Sequence, residues 1–143
     1  MRIVVAPDSF KESMTAAEAA AAMARGVRAV VPDAEVVEIP MSDGGEGFTA
    51  AVASSLGARV RRVPTVDALG RPATGRLAVA GRTAVLEMAT AAGLELIAPD
   101  ERDVRRADTR GVGLMIRAAL DAGAQRLLLG ADQIGRASCR ERV

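Results

Sequence analysis

The sequence has no histidine, tryptophan, tyrosine or asparagine, only two phenylalanines and one cysteine, and a single lysine among nineteen basic residues. Arg, Ala, Gly and Val dominate instead, as expected where GC-rich codons prevail. With Phe10 and Phe48 as the only aromatics, the core has to be built from Val, Leu, Ile, Met and Ala. Cys139 alone excludes an internal disulfide and a cysteine-based metal site. No apolar run approaches the length of a membrane span, and Met1-Arg2 leads straight into a strand-like stretch rather than a signal-peptide pattern, so a cytoplasmic protein with no membrane partner is expected. A formal charge of +1 with both signs interspersed offers no basic stripe for nucleic acid.

What is present suits an α/β domain: 143 residues, half of them apolar, are enough for one sizeable core. Residues 2–6 read as a short buried strand bounded by Pro7. Thr15-Ala-Ala-Glu18 is a capping box that starts a helix over residues 16–31, ended by Pro32. Residues 34–40, AEVVEIP, give a second strand, and residues 48–56 a second helix closed by Gly57. From Arg59 the pattern changes to short β-like runs broken at residues 67–72 and 80–81, an antiparallel excursion over residues 59–89. A third helix is expected over residues 111–122, with Val112, Met115, Ile116 and Ala119 on one face, Thr109 capping its start and Gly123 its end. A last strand follows over residues 126–130. The fold class is α/β, a mainly parallel sheet flanked by helices.

The tail changes character. Residues 132–143, DQIGRASCRERV, hold the only Cys and show no periodicity. Residues 134–143 back-translate as ATC GGA AGA GCG TCG TGT AGG GAA AGA GTG, which looks like a sequencing-library adapter read in frame. Without that tail the chain has sixteen residues of each sign. Its slight basic charge therefore carries no functional message.

In a parallel sheet, ligands collect at the carboxyl ends of the strands. Two polar segments fall there, PDSFKES at residues 7–13 and MSDGGEG at residues 41–47, and both are expected to open on the same edge. Gly44, Gly45 and Gly47 let backbone approach a ligand or take positive φ; Asp43 and Glu46 supply carboxylates that can hold Mg²⁺ or accept a hydroxyl proton. Taken alone the segment also reads as a plain turn, with Asp43 capping the helix after it, and Lys11 alone as a solvated loop residue. Together, an ammonium, several acids and free amides at helix starts are the parts of a phosphoryl-transfer site. No Walker A loop is present.

The stretches APDSFKESMTAAEAA, DGGEGF, LGRPATG, VLEMATAAGLELI and DTRGVGLMIRAALDAGAQRLLLG lie in one collinear order across residues 1–130. Together they resemble the N-terminal part of the type I glycerate kinase family. The resemblance implies a two-domain α/β kinase fold of which this chain is a fragment: residues 1–58 a βαβα segment of the first domain, residues 59–108 a β-rich segment starting the second, and residues 109–131 a helix and strand. It implies ATP-dependent phosphorylation of a D-glycerate hydroxyl with Mg²⁺, with D-glycerate and ATP as partners. The family continues after this strand into a glycine-rich GGSATNDGG loop, where this chain turns into the tail, so a truncated, inactive fragment is expected. Asp67-Ala68 stands where the family usually has Gly-Pro, and Arg110 where an aromatic is frequent; both are expected to alter turns rather than chemistry.

Carried over position by position, Asp8, Ser9 and Lys11 line the site, Lys11 neutralising phosphoryl charge in the transition state. Asp43 is the candidate base, Asp43 and Glu46 the candidate metal ligands, and Gly44 and Gly45 give access to substrate or nucleotide. Glu87 is a further acid, with a strand-end salt bridge as its alternative role, and Arg71 either a carboxylate fork or a surface residue. Met88 and Met115 read as core filler. The competing reading is a non-catalytic anion- or nucleotide-binding α/β domain, for which two acids beside the lysine serve no purpose.

Overall fold

The computed structural model describes residues 1–10 and 13–131. Lys11 and the tail from Asp132 lie outside the described residues. The chain divides into two compact units, Met1–Asp43 and Gly44–Val143.

The first unit contains β1 (Arg2–Val5), α1 (Ala16–Val30) and β2 (Glu35–Glu38). The expected capping box forms: the Thr15 hydroxyl accepts from the Glu18 amide at 3.3 Å, and the Glu18 carboxylate accepts from the Thr15 amide at 2.8 Å. The first helical turn thus has two of its orphan donors satisfied, and the Thr15 bonds hold the Glu18 carboxyl below the usual carboxylate range. Alanines at positions 19, 20 and 24 make the buried stripe of α1, so the helix can lie close to its strands. Val5, Ala20 and Ala24 form the core, with Val27 and Val36 against it. β1 and β2 pair in parallel with Arg2 opposite Glu35 and Val5 opposite Glu38, as the strand-helix-strand order requires.

The second unit runs α2 (Phe48–Ser55), β3 (Val60–Val66), β4 (Pro72–Ala80), β5 (Thr83–Glu87), α3 (Ala89–Ala92), two short 3-10 turns, α4 (Arg110–Asp121) and β6 (Arg126–Gly130). Its sheet has the order β3-β4-β5-β6. The first three strands are antiparallel, the excursion read from the sequence, and β6 returns parallel to β5. Side chains alternate across the sheet. Leu77, Ala84 and Leu86 face a core with Val112, Met115 and Ala119, while Ala78 and Val85 face another with Ala53, Phe48 and Val52. Helices therefore cover β4 and β5 on both faces, which is why β5 is buried almost throughout. Gly81, with φ +57°, makes the two-residue turn that lets Ala80 pair with Thr83.

The long elements match the sequence reading within two residues at each end. The helix Ala89–Ala92 and the 3-10 turns Leu94–Leu96 and Pro99–Glu101 are additions that no periodicity announces. Thr109 is a correction: it stands at the N-cap of α4, but its hydroxyl makes no capping bond, and the Asp108 carboxylate accepts from the Arg110 amide at 2.9 Å instead. Thr109 has φ −111° and ψ 22°, outside the extended backbone a capping side chain prefers.

Candidate functional site

Parallel pairing brings the ends of β1 and β2 to one edge of the first unit. The ladder continues past both strands, with the Ile39 amide donating to the Val5 carbonyl and the Met41 amide to the Pro7 carbonyl, each at 2.9 Å. Residues 7–9 and 41–43 are thus held side by side, as a site at the carboxyl edge needs. Asp8 is exposed, and one of its oxygens accepts from the Ser9 amide at 2.6 Å. That bond stabilises the turn out of β1. Phe10 and Met14 pair as an isolated bridge on either side of the stretch that contains Lys11. Asp43, also exposed, ends the unit.

The rest of the motif belongs to the second unit. Gly44 has φ +105° and Gly47 φ +87°, so both positions of the turn demand glycine. Glu46 between them is exposed. Gly47 is the N-cap of α2 and offers no side-chain oxygen to cap that helix. A carboxylate from elsewhere does so: Glu87, fully buried at the end of β5, accepts from the Thr49 amide at 2.7 Å. The salt-bridge alternative for Glu87 is therefore corrected; among the described residues its partner is a backbone N–H in the first turn of a helix. The glycine turn also lies against the end of β6, where a Cβ on Gly130 would come within 2.5 Å of the Gly44 carbonyl and 2.6 Å of the Phe48 ring. Neither Thr49 nor Gly130 was singled out from the sequence. A glycine that ends a strand in the register position opposite a buried glutamate is the only signal they leave.

Arg71 is not free to hold a ligand carboxylate. Its guanidinium donates to Asp67 at 2.6 Å, to Glu101 at 2.8 Å and to the Leu96 carbonyl at 3.2 Å. Asp67 is the keystone of the β3–β4 turn, also accepting from the Leu69 and Arg71 amides at 2.9 Å. Burial pushes the Asp67 carboxyl up, but the bonds from the Arg71 side chain and from the two amides outweigh it and hold the group below its ordinary value. An open groove of about 580 Å³ runs beside Arg71, past Leu69, Arg102 and Arg106, and contains none of the other candidate site residues. Glu101 pairs with Arg71 and Asp103 with Arg105, and Arg102 donates to the Ile97 and Leu94 carbonyls, so these contacts hold the groove's own wall together.

Among the described residues no three Asp, Glu, Cys or His side chains converge on a common point. Mg²⁺ in phosphoryl transfer uses one or two carboxylates and fills its other positions with water and phosphate oxygen, so an exposed carboxylate such as Asp43 or Glu46 is a chemically suitable donor. No helix among the described residues is long and apolar enough to cross a membrane.

The profile of the glycerate kinase family matches residues 3–136. A glycerate kinase of Bacillus subtilis (strain 168) is 45% identical over 132 residues, which are 91% of this chain and 35% of that protein. A glycerate 2-kinase of Escherichia coli (strain K12) is 39% identical over the same shares of each chain. A crystal structure designated glycerate kinase 2, from Salmonella typhimurium LT2, superposes with a TM-score of 0.75 at 40% identity, covering 91% of this chain and 36% of that one. The chain thus spans about 35% of the length of the curated relatives it matches. With its strand order, its paired loops and both specific motifs in place, the chain belongs to the glycerate kinase family.

Proposed function

We propose that the protein carrying this chain phosphorylates a hydroxyl of D-glycerate with ATP as donor and Mg²⁺ as cofactor, in the cytoplasm, and that residues 1–131 are the N-terminal part of its two-domain fold. In that fold residues 1–58 belong to the first domain, residues 59–108 start the second, and residues 109–131 add a helix and strand. The observation that carries this reading is the bond between the Met41 amide and the Pro7 carbonyl, which sets the two motif-bearing loops next to each other at the carboxyl edge of a parallel pair. Asp8 and Ser9 line that edge, and Asp43 takes the proton of the attacking hydroxyl. Gly44 and Gly45 let backbone approach the substrate or nucleotide. Lys11 neutralises charge on the phosphoryl group as it moves, a task suited to a compact ammonium on a flexible stem. Bound Mg²⁺, held by Asp43 and Glu46, supplies further neutralisation of the phosphoryl oxygens.

The test uses a full-length enzyme whose first third is this sequence. Lys11→Arg and Lys11→Ala are expected to leave the fold intact and lower kcat for glycerate phosphorylation by about 10² or more, the scale of losing one transition-state charge partner. Arg25→Ala, on α1, is the neutral comparison. Near-parental turnover of both Lys11 variants at saturating substrates would return the lysine to a solvated loop, and nucleotide binding without product would favour the binding domain. We also propose that residues 132–143 are adapter read-through; codons other than those given above at residues 134–143 would refute it.

A further inference from the structure

Glu87 ends β5 at the register position opposite Gly130 of β6, with its side chain 0% exposed. One carboxylate oxygen accepts from the Thr49 amide, while the other, Oε1, and the equally buried Thr49 hydroxyl have no hydrogen-bond partner among the described residues. Stability does not explain an acid there. The Thr49 amide needs one acceptor oxygen, but the second oxygen of a carboxylate, left unpaired among the described residues, costs about 1–3 kcal/mol.

Its position explains more. Residues 44–47 run directly into α2, whose N-cap, Gly47, is left-handed and supplies no side-chain oxygen. The helix start would otherwise fray; Glu87, 38 residues away in sequence, supplies the capping carboxylate. From the other side, Gly130 admits the Gly44 carbonyl and the Phe48 ring at a distance no side chain would allow. The ends of the parallel pair β5 and β6 therefore grip the glycine turn at both of its ends.

We propose that Glu87 is a positioning residue: it clamps the first turn of α2 so that the backbone of residues 44–47 is preset for the phosphates of the nucleotide. The nucleotide's identity rests on the kinase reading above; the clamp itself does not. Glu87 touches no substrate.

Glu87→Gln and Glu87→Met separate this role from simple core filling, because the two side chains have similar volume and only glutamine keeps an acceptor for the Thr49 amide. In the full-length enzyme carrying this sequence, Glu87→Met is expected to raise KM for ATP about tenfold, with kcat within about threefold, while Glu87→Gln stays within about twofold of the parent. Exchange of the Thr49 amide, followed by mass spectrometry, is expected to speed up about tenfold in Glu87→Met and little in Glu87→Gln. Gly130→Ala, which drives the Gly44 carbonyl away without touching the acid, should raise the same KM, and it carries the test if Glu87→Met does not fold. Equal KM values for the Met and Gln variants, or an unchanged KM in Gly130→Ala, overturn the proposal. If the parent makes no phosphoglycerate, the function reading fails, and the exchange difference between Met and Gln still decides the clamp.

Discussion

In the unit from Met1 to Asp43, β1 and β2 are backed by one helix whose buried side chains are alanines, whereas in the unit from Gly44 onward β4 and β5 lie between α2 on one face and α3 and α4 on the other. Leu77, Val85, Leu86 and Met115 are completely buried in the second unit, but Val5 is the largest core residue of the first. Val4, Val30 and Ile39 of the first unit remain exposed. A two-stranded sheet with one covered face is marginal by itself, because parallel strands are apolar on both sides and need both sides buried. The difference teaches where each unit gets its order: the second from long-range packing, the first largely from local devices such as the capping box. Asp8, Ser9 and Asp43 stand on the unit with less of a core. That is the low-stability end of a protein, from which ligand-responsive loops are drawn.

The sharpest way to break this comparison is to cut one core side chain of each unit back to alanine. Leu86→Ala should destabilise the second unit by about 2–5 kcal/mol, since its site between two helices cannot collapse. Val5→Ala should cost the first unit about 1–2 kcal/mol, in proportion to its smaller buried area. Amide exchange along β4 and β5 reads one effect, and along β1 and β2 the other. Equal losses, or strands of the first unit that exchange as slowly as β5, would mean the two cores are equivalent after all.

Within the second unit, β6 marks where packing runs out. Leu127, Leu128 and Leu129 are 36%, 38% and 40% exposed, on both faces of the strand, so no single helix covers them. Such a strand should bind a hydrophobic dye and favour association of the isolated 143-residue chain. A monomeric chain with no dye signal would show that these leucines are covered in solution.

Acid should discriminate between the units as well. The Asp67 carboxyl is held below its unfolded value, about 3.9 for a free aspartate, so its contribution to stability is complete above that pH and is lost as the pH falls through the lower folded value. Asp67→Asn keeps an acceptor for the turn amides but loses the charge that Arg71 meets, at a cost of about 1–2 kcal/mol at neutral pH. It should also flatten the loss of stability of the second unit on acidification. A variant with the same acid profile as the parent would remove Asp67 from the account.

Much of this fold was legible because its long elements carry their own punctuation. Thr15 and Glu18, Gly57 and Gly123, and the alternation around residues 72–87 each state a start, a stop or a face locally. The helix Ala89–Ala92 has no capping side chain and only small residues, so its existence depends on β4 and α4, which no local pattern shows. The candidate loops were legible from strand-helix-strand order alone, since a parallel pair must place them together. The partner of Glu87 was not, because the bond goes to a backbone amide 38 residues away, and every residue type has one. Gly130 was hidden for the opposite reason: what matters there is the lack of a side chain.

The smallest expected effect tests the claim that the first unit leans on local order. Thr15→Ala removes the hydroxyl that accepts from the Glu18 amide, and with it one of the bonds that keep the Glu18 carboxylate at the helix start. N-cap replacements of this kind cost about 0.5–2 kcal/mol. In a unit whose core is Val5, Ala20 and Ala24, that is comparable with the Val5→Ala loss, whereas in the second unit it would be a small fraction of Leu86→Ala. The expected result is faster exchange through the first turns of α1 and along β1 and β2, which pack on it, with β4 and β5 unchanged. Thr15→Ser, which keeps the hydroxyl, should restore the parental pattern. Exchange in Thr15→Ala confined to residues 16–19, with β1 and β2 as protected as before, would show that strand pairing and the small alanine core hold the unit without the cap.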